Sequence, residues 1–137
     1  MPETPRPPRG LLDTSVIIDL EHIEASALPY EVAISAMTLA ELAAGPHAAN
    51  DGVERGRRQD RLQRTEAAFD PLPFDVDAAR AYGRVFSAVL SAERKPRGAR
   101  AVDLMIAATA LAANLPLYTR NPNDFAGLNE IVDIVPV

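Results

Sequence analysis

Gly10-Leu11-Leu12-Asp13-Thr14-Ser15 is the stretch on which the reading of this chain turns. Its paired leucines read as a short buried strand, and the acid and two hydroxyl residues that follow supply a turn and helix-cap candidates. The first strand is therefore expected over residues 10–14 and a helix over 15–21. Working outward, 32–35 reads as a second strand, followed by a helix over 38–44 that Gly45-Pro46 stops. A longer, more exposed helix is expected over 48–68, with Gly52 and Gly56 weakening its first half. Residues 69–74 read as a third strand, ragged or at an edge because of Pro71 and Pro73. From Asp75 the spacing of Val76, Ala79, Tyr82, Gly83, Phe86, Val89 and Leu90 predicts a helix whose stripe forms core, with part of it open to a dimer seam, two uses that periodicity does not separate. Lys95-Pro96-Arg97-Gly98 ends it, and 101–114, apolar nearly all round, reads as a buried helix. Fourth and fifth strands are expected over 115–119 and 131–135.

Short apolar strands alternating with helices predict an α/β fold, an open three-layer sandwich around a five-stranded parallel sheet. Residues 1–9, with four prolines, are expected to form a flexible N-terminal stretch ahead of a single domain over 10–137. In such sheets ligands sit beyond the carboxyl ends of the strands.

Composition narrows the chemistry. The 137 residues are 47% hydrophobic and 24% charged, enough to bury a core. No cysteine is present, which excludes disulfides, thiolate metal sites and thiol nucleophiles. With only His22 and His47, a His-rich zinc site is excluded too. The start carries no apolar signal segment, and no uncharged apolar run approaches the roughly 18 residues of a membrane helix. A soluble, cytoplasmic protein is the expectation. The net charge of −5 argues against a nonspecific nucleic-acid coat, since Lys and Arg carry phosphate affinity.

Four acids fall where the expected sheet would gather them: Asp13 after the first strand, Glu41 in the helix after the second, Asp103 in the buried helix, and Asp124 after the fourth strand. Each also has a structural reading. Asp13 can cap a helix, and Thr38-x-x-Glu41 matches a capping box. Asn121-Pro122-x-Asp124 matches a cap followed by an acid that complements a helix dipole. Asp103 is hardest to explain this way, because its neighbours in Ala101-Val-Asp-Leu-Met-Ile-Ala are apolar and unpaired buried carboxylates are rare. Four clustered carboxylates repel one another unless a cation intervenes. Magnesium or manganese suits an all-oxygen set, and a water it activates can attack a phosphodiester. That chemistry requires neither cysteine nor histidine.

Leu12-Asp-Thr-Ser15, Leu39-Ala-Glu-Leu42, Asp103-Leu-Met-Ile-Ala-Ala-Thr109 and Thr119-Arg-Asn-Pro-Asn-Asp-Phe125 together resemble, in order and spacing, the acidic signature of PIN-domain proteins. The likeness is greatest to VapC-type toxins of bacterial toxin–antitoxin pairs and runs from about Gly10 to the last residue. It implies a Mg2+- or Mn2+-dependent endoribonuclease, the toxin of a type II pair, that cleaves RNA with a metal-activated water to leave 5′-phosphate and 3′-hydroxyl ends. Asp13 and Asp103 would match the principal metal ligands. Glu41 and Asp124 would complete the acidic pocket, partly through water, and Thr119 and Asn121 would support it. A VapB-type antitoxin and a homodimer are the implied protein partners. The Pro-rich start is the departure, placing Asp13 several residues later than is usual.

Two basic clusters offer phosphate contacts: Arg55, Arg57, Arg58, Arg61 and Arg64, and Arg94, Lys95, Arg97 and Arg100. Arg97 and Arg100, close to Asp103, are the favoured pair, while the first cluster also fits a solvated helix face. Other readings of the acids are weaker. A haloacid-dehalogenase-type phosphatase needs a second Asp where Ser15 stands, and a phosphoreceiver needs a Lys late in the chain, where none follows Lys95. A non-catalytic RNA- or protein-binding PIN-like module stays open as the alternative.

Overall fold

The computed structural model describes residues 8–92 and 99–137. Leu11 and Leu12 lie at its centre, and the alternation of a strand sends their side chains to opposite faces. The strand that holds them, β1 (Arg9–Leu12), passes at Asp13 into the short helix α1 (Thr14–Ile18), and single 3-10 turns follow at Leu20–His22 and Ala25–Ala27. Next come β2 (Glu31–Ala33), α2 (Ala36–Ala44), a 3-10 turn at Gly45–Ala48, α3 (Gly52–Ala68) and α4 (Val76–Ser91). The chain closes with α5 (Ala99–Ala113), β3 (Leu117–Thr119), a 3-10 turn at Pro122–Phe125 and β4 (Ile134–Pro136). All strand pairs are parallel, in the order β2-β1-β3-β4. The break in sequence order, where β3 lies beside β1, marks the edge at which such sheets bind ligands.

The sheet has four strands, not the expected five. Residues 69–74 contribute a single parallel bridge, Leu72 to Ser35. Leu72 donates its N–H to the Ile34 carbonyl at 2.9 Å and accepts from the Ala36 N–H at 2.8 Å. Pro71 and Pro73 on either side have no N–H to offer a further strand, so this segment can only be an edge.

Helices cover both faces of the sheet. Leu11 and Leu117 join Val85, Val89, Leu104, Ile106, Phe125 and Leu128 in one core, against α4 and α5. Leu12 and Tyr118 join Val16, Ile17, Ile34, Leu42 and Leu62 in the other, against α1, α2 and α3. Gly10 is obligatory here, since a Cβ at that position would come within 2.6 Å of the Tyr118 ring.

Helix bounds shift by a few residues, with α1 starting at Thr14, α3 at Gly52 and α5 at Ala99, and differences on α4 and α2 change which side chains are buried or capped. On α4 the buried residues are Ala78, Ala81, Val85 and Val89, whereas Val76, Phe86 and Leu90 are exposed. Small alanines let α4 lie close to α5, leaving the bulkier neighbouring stripe outside. The second helix starts at Ala36, two residues ahead of expectation, because Ser35 caps it by accepting the Thr38 N–H at 3.1 Å. Thr38 and Glu41 therefore form no capping box, and the Glu41 carboxylate has no helix-end duty. Residues 95–98, expected to end α4, lie outside the described residues. Among the described residues no helix is long and apolar enough to cross a membrane.

Candidate functional site

Asp13 occupies the N-cap position of α1 yet makes no side-chain cap bond. Its backbone N–H donates to the Tyr118 carbonyl at 2.9 Å, which fixes it beside the carboxyl end of β3. The carboxylate is 4% exposed and takes its hydrogen bonds elsewhere. Oδ2 accepts from Ser15 Oγ at 2.7 Å and from Thr119 Oγ1 at 2.9 Å. Thr119 Oγ1 in turn accepts the Asn121 N–H at 2.9 Å, and Ser15 Oγ accepts the Arg120 N–H at 3.1 Å. The loop after β3 is thus tied to the start of α1 through hydroxyls that all bear on one acid. Arg120 extends the tie: its side chain reaches Asp19 at 3.3 Å and the Val137 carbonyl at 3.1 Å.

Glu41 stands on α2, which contacts α1 and α5. Thr14 Oγ1 donates to Glu41 Oε1 at 2.6 Å, a short bond to a charged acceptor. Behind it Thr14 Oγ1 lies 3.0 Å from Thr38 Oγ1, and Ser35 Oγ lies 3.4 Å from the same atom. Ser35 and Thr38 are fully buried, so this hydroxyl chain runs from the capped start of α2 to an acid at the surface.

Asp103 lies in the second turn of α5, half-buried. Burial, and then the charges of Asp13, Asp124 and Glu41, push its carboxyl from 3.8 up to about 7, against the opposing pull of Arg100. Desolvation dominates, but the like charges identify the neighbourhood: acids separated by up to 111 residues act on one another. Asp124 lies in the 3-10 turn that contacts α5 and is exposed. Asn121 precedes that turn and makes no side-chain cap bond; its part in the network is its backbone N–H. Asp13, Glu41 and Asp124 are therefore near enough for their charges to act on Asp103.

A hard divalent cation is a chemical match for this edge. Every side-chain donor there is a carboxylate or hydroxyl oxygen, and Asp103 carries the penalty of uncompensated neighbouring charge. Among the described residues no three Asp, Glu or His side chains stand close enough to enclose one ion. A partly hydrated ion of the magnesium type, which takes only one or two carboxylates directly, is the kind that acids so spaced could hold.

The basic candidates divide. Arg100 sits one helical turn before Asp103 and is the cation that acts on it. Arg97 lies outside the described residues, as do Arg94 and Lys95. On α3, Arg58 pairs with Glu54 at 3.0 Å and holds the Gly45 carbonyl at 2.9 Å, and Arg64 pairs with Asp60 at 3.0 Å. Arg61 and Arg64 also line a cavity of about 340 Å³ with Ile17, Ile18, Leu20 and Phe69, which none of the four acids lines. His22 is exposed beside Glu21, and His47 is exposed in a 3-10 turn.

Thr14, Ser15 and Thr38 are the site residues that the motif reading left without a role. Their signal in the sequence was adjacency: two hydroxyls directly follow Asp13, and one stands three residues before Glu41. Spacing of that kind reads as capping until the helix starts are known.

A PIN-domain family model matches residues 10–130. A Mycobacterium tuberculosis protein named ribonuclease VapC5 is 37% identical over 126 residues, covering 90% of this chain and 90% of that protein. A Rickettsia bellii protein named ribonuclease VapC is 32% identical over 125 residues, covering 88% and 91% respectively. Among solved structures, VapBC-5 from Mycobacterium tuberculosis, a member of the VapBC family of toxin–antitoxin systems, superposes with a TM-score of 0.84 at 37% identity. That match covers 96% of this chain and all of the other. FitAcB from Neisseria gonorrhoeae gives a TM-score of 0.67 at 26% identity, covering 90% of this chain and 94% of its own.

Proposed function

This chain belongs to the VapC group of the PIN-domain family, and from that premise we propose that it is a Mg2+- or Mn2+-dependent endoribonuclease acting as the toxin of a type II toxin–antitoxin pair. The observation that carries the chemistry is Asp103, a half-buried carboxyl held up to about 7 by burial and by Asp13, Asp124 and Glu41. So much negative charge at one sheet edge is stable beside a polyanionic substrate only with a cation between them.

Asp13 and Asp103 are the proposed principal ligands, and Glu41 and Asp124 complete the acidic pocket, partly through intervening water. A bound magnesium or manganese supplies a water acidic enough to attack phosphorus and the positive charge that the phosphoryl oxygens need. The chain's own groups do the positioning. Ser15 and Thr119 fix the Asp13 carboxylate, Thr14 fixes Glu41, and Arg100 offers a guanidinium to a substrate phosphate. RNA is the substrate, and a VapB-type antitoxin and a second copy of the chain are the protein partners. The named relatives and the VapBC assembly of the matched structure support this reading.

The test is cleavage of a structured RNA by the purified protein. Cleavage is expected with magnesium or manganese, none in EDTA, and none for Asp103→Asn with an unchanged circular dichroism spectrum. Full activity in chelator would refute the metal role. RNA binding that survives EDTA, without cleavage in any metal, would instead identify a non-catalytic binding module.

A further inference from the structure

The hydroxyls around the acids do more than hold them still. A carboxylate presents about four lone-pair sites on two oxygens. Asp13 Oδ2 accepts two hydroxyl hydrogen bonds, from Ser15 and Thr119, so both of its lone pairs are engaged. Glu41 Oε1 accepts the 2.6 Å bond from Thr14. Among the described residues the donors to each acid fall on one oxygen, Oδ2 of Asp13 and Oε1 of Glu41. The donors are themselves anchored. Thr119 is fully buried and Thr14 is 8% exposed, and Thr38 and Ser35 stand behind Thr14 with no exposure at all.

Resting on the metal-site reading above, we infer that Thr14, Ser15 and Thr119 are positioning residues that restrict Asp13 and Glu41 to one free oxygen each, and so set the cation selectivity of the pocket. Calcium takes six to eight oxygens at longer range and commonly draws both oxygens of a carboxylate. Magnesium accepts single carboxylate oxygens and fills the rest of its octahedron with water. Manganese likewise suits octahedral all-oxygen sites. Saturating Asp13 Oδ2 removes the two-oxygen mode at the most buried acid, and engaging Glu41 Oε1 disfavours it at the second. The pocket discriminates against calcium through oxygens it has already occupied, independently of cavity size.

Binding, not turnover, tests this. Calorimetric titrations of the full chain with Mn2+, Mg2+ and Ca2+ give the calcium-to-manganese ratio of dissociation constants for the natural protein, Thr14→Val, and Ser15→Ala with Thr119→Val. The Val variants are expected to narrow the ratio by about tenfold, the scale on which groups bonded to metal ligands act. Thr14→Ser and Thr119→Ser, which keep the hydroxyl, are expected to preserve it. Since Thr119→Val also strips a partner from the Asn121 N–H, a thermal melt accompanies each variant, and Thr14→Val gives the decision if the double variant does not fold. A ratio unchanged in Thr14→Val, or lost equally in Thr14→Ser, overturns the inference while leaving the metal site standing. Failure of the natural protein to bind any of the three cations overturns the site and the inference together.

Discussion

Asp103 is expected to give this protein a pH-dependent stability. Its carboxyl holds a proton more tightly in the folded chain, up to about 7, than at its usual 3.8. The folded state therefore binds the extra proton between those values, and stability from this group falls as pH rises through that window. In the metal-free protein its contribution is fully present below 3.8 and lost above about 7. Chemical denaturation at pH 5 and pH 8 in EDTA is expected to show the natural protein losing more stability over that interval than Asp103→Asn does. An equal loss in both would assign the pH dependence elsewhere. Metal must displace the same proton, so cation affinity is expected to weaken as pH falls below about 7, read by titration at pH 6 and 8. At Gly10, a side chain would meet Tyr118 Cε1 at 2.6 Å and Pro29 Cγ at 2.9 Å. Gly10→Ala is expected to destabilise by about 1–3 kcal/mol, the ordinary range for overpacking.

Helix starts and strand pairing determine which side chains are left for chemistry. Ser35 caps α2, and the consequence reaches beyond its end: Thr38 moves inside the helix and Glu41 is released from the cap it would otherwise make. Ser35→Ala is expected to cost about 1 kcal/mol in denaturant unfolding through the lost cap. It is also expected to weaken metal binding, because Ser35 backs the chain of hydroxyls that ends on Glu41. A loss of stability with unchanged metal affinity would show the chain to be structural only. The lone bridge at Leu72 makes a related point. One residue between two prolines completes both bonds that hold the segment after α3 against the start of α2, and the prolines leave its outer side without donors.

Taken as one object, the protein concentrates like charge at one edge of a sheet whose two cores are otherwise apolar. Two consequences oppose each other and can be measured on the same samples. In EDTA at pH 8, Asp103→Asn is expected to raise the Tm by removing one of the repelling charges. With millimolar magnesium or manganese, the natural protein is expected to gain several degrees, and Asp13→Asn or Asp103→Asn little or none, since binding to the folded state alone stabilises it. A Tm for Asp103→Asn at or below the natural value in EDTA would mean that repulsion is not what the cation relieves.

Much of this was legible in the residues. Apolar pairs such as Leu11-Leu12 and Leu117-Tyr118 require burial on two faces, and that requirement alone implies helices on both sides of a parallel sheet. The four acids, with no cysteine and two histidines, made a hard cation the ligand to expect. How far residues 69–74 pair was not legible: the prolines mark the segment as ragged or an edge, and only the fold reduces it to the bridge between Leu72 and Ser35. Nor was the buried face of α4, where two apolar stripes compete and close approach to α5 selects the alanines. The roles of Thr14, Ser15 and Thr38 were the furthest from view. A local pattern lists donors and acceptors, but the partner of each is chosen by elements up to 106 residues away that folding brings within hydrogen-bond reach.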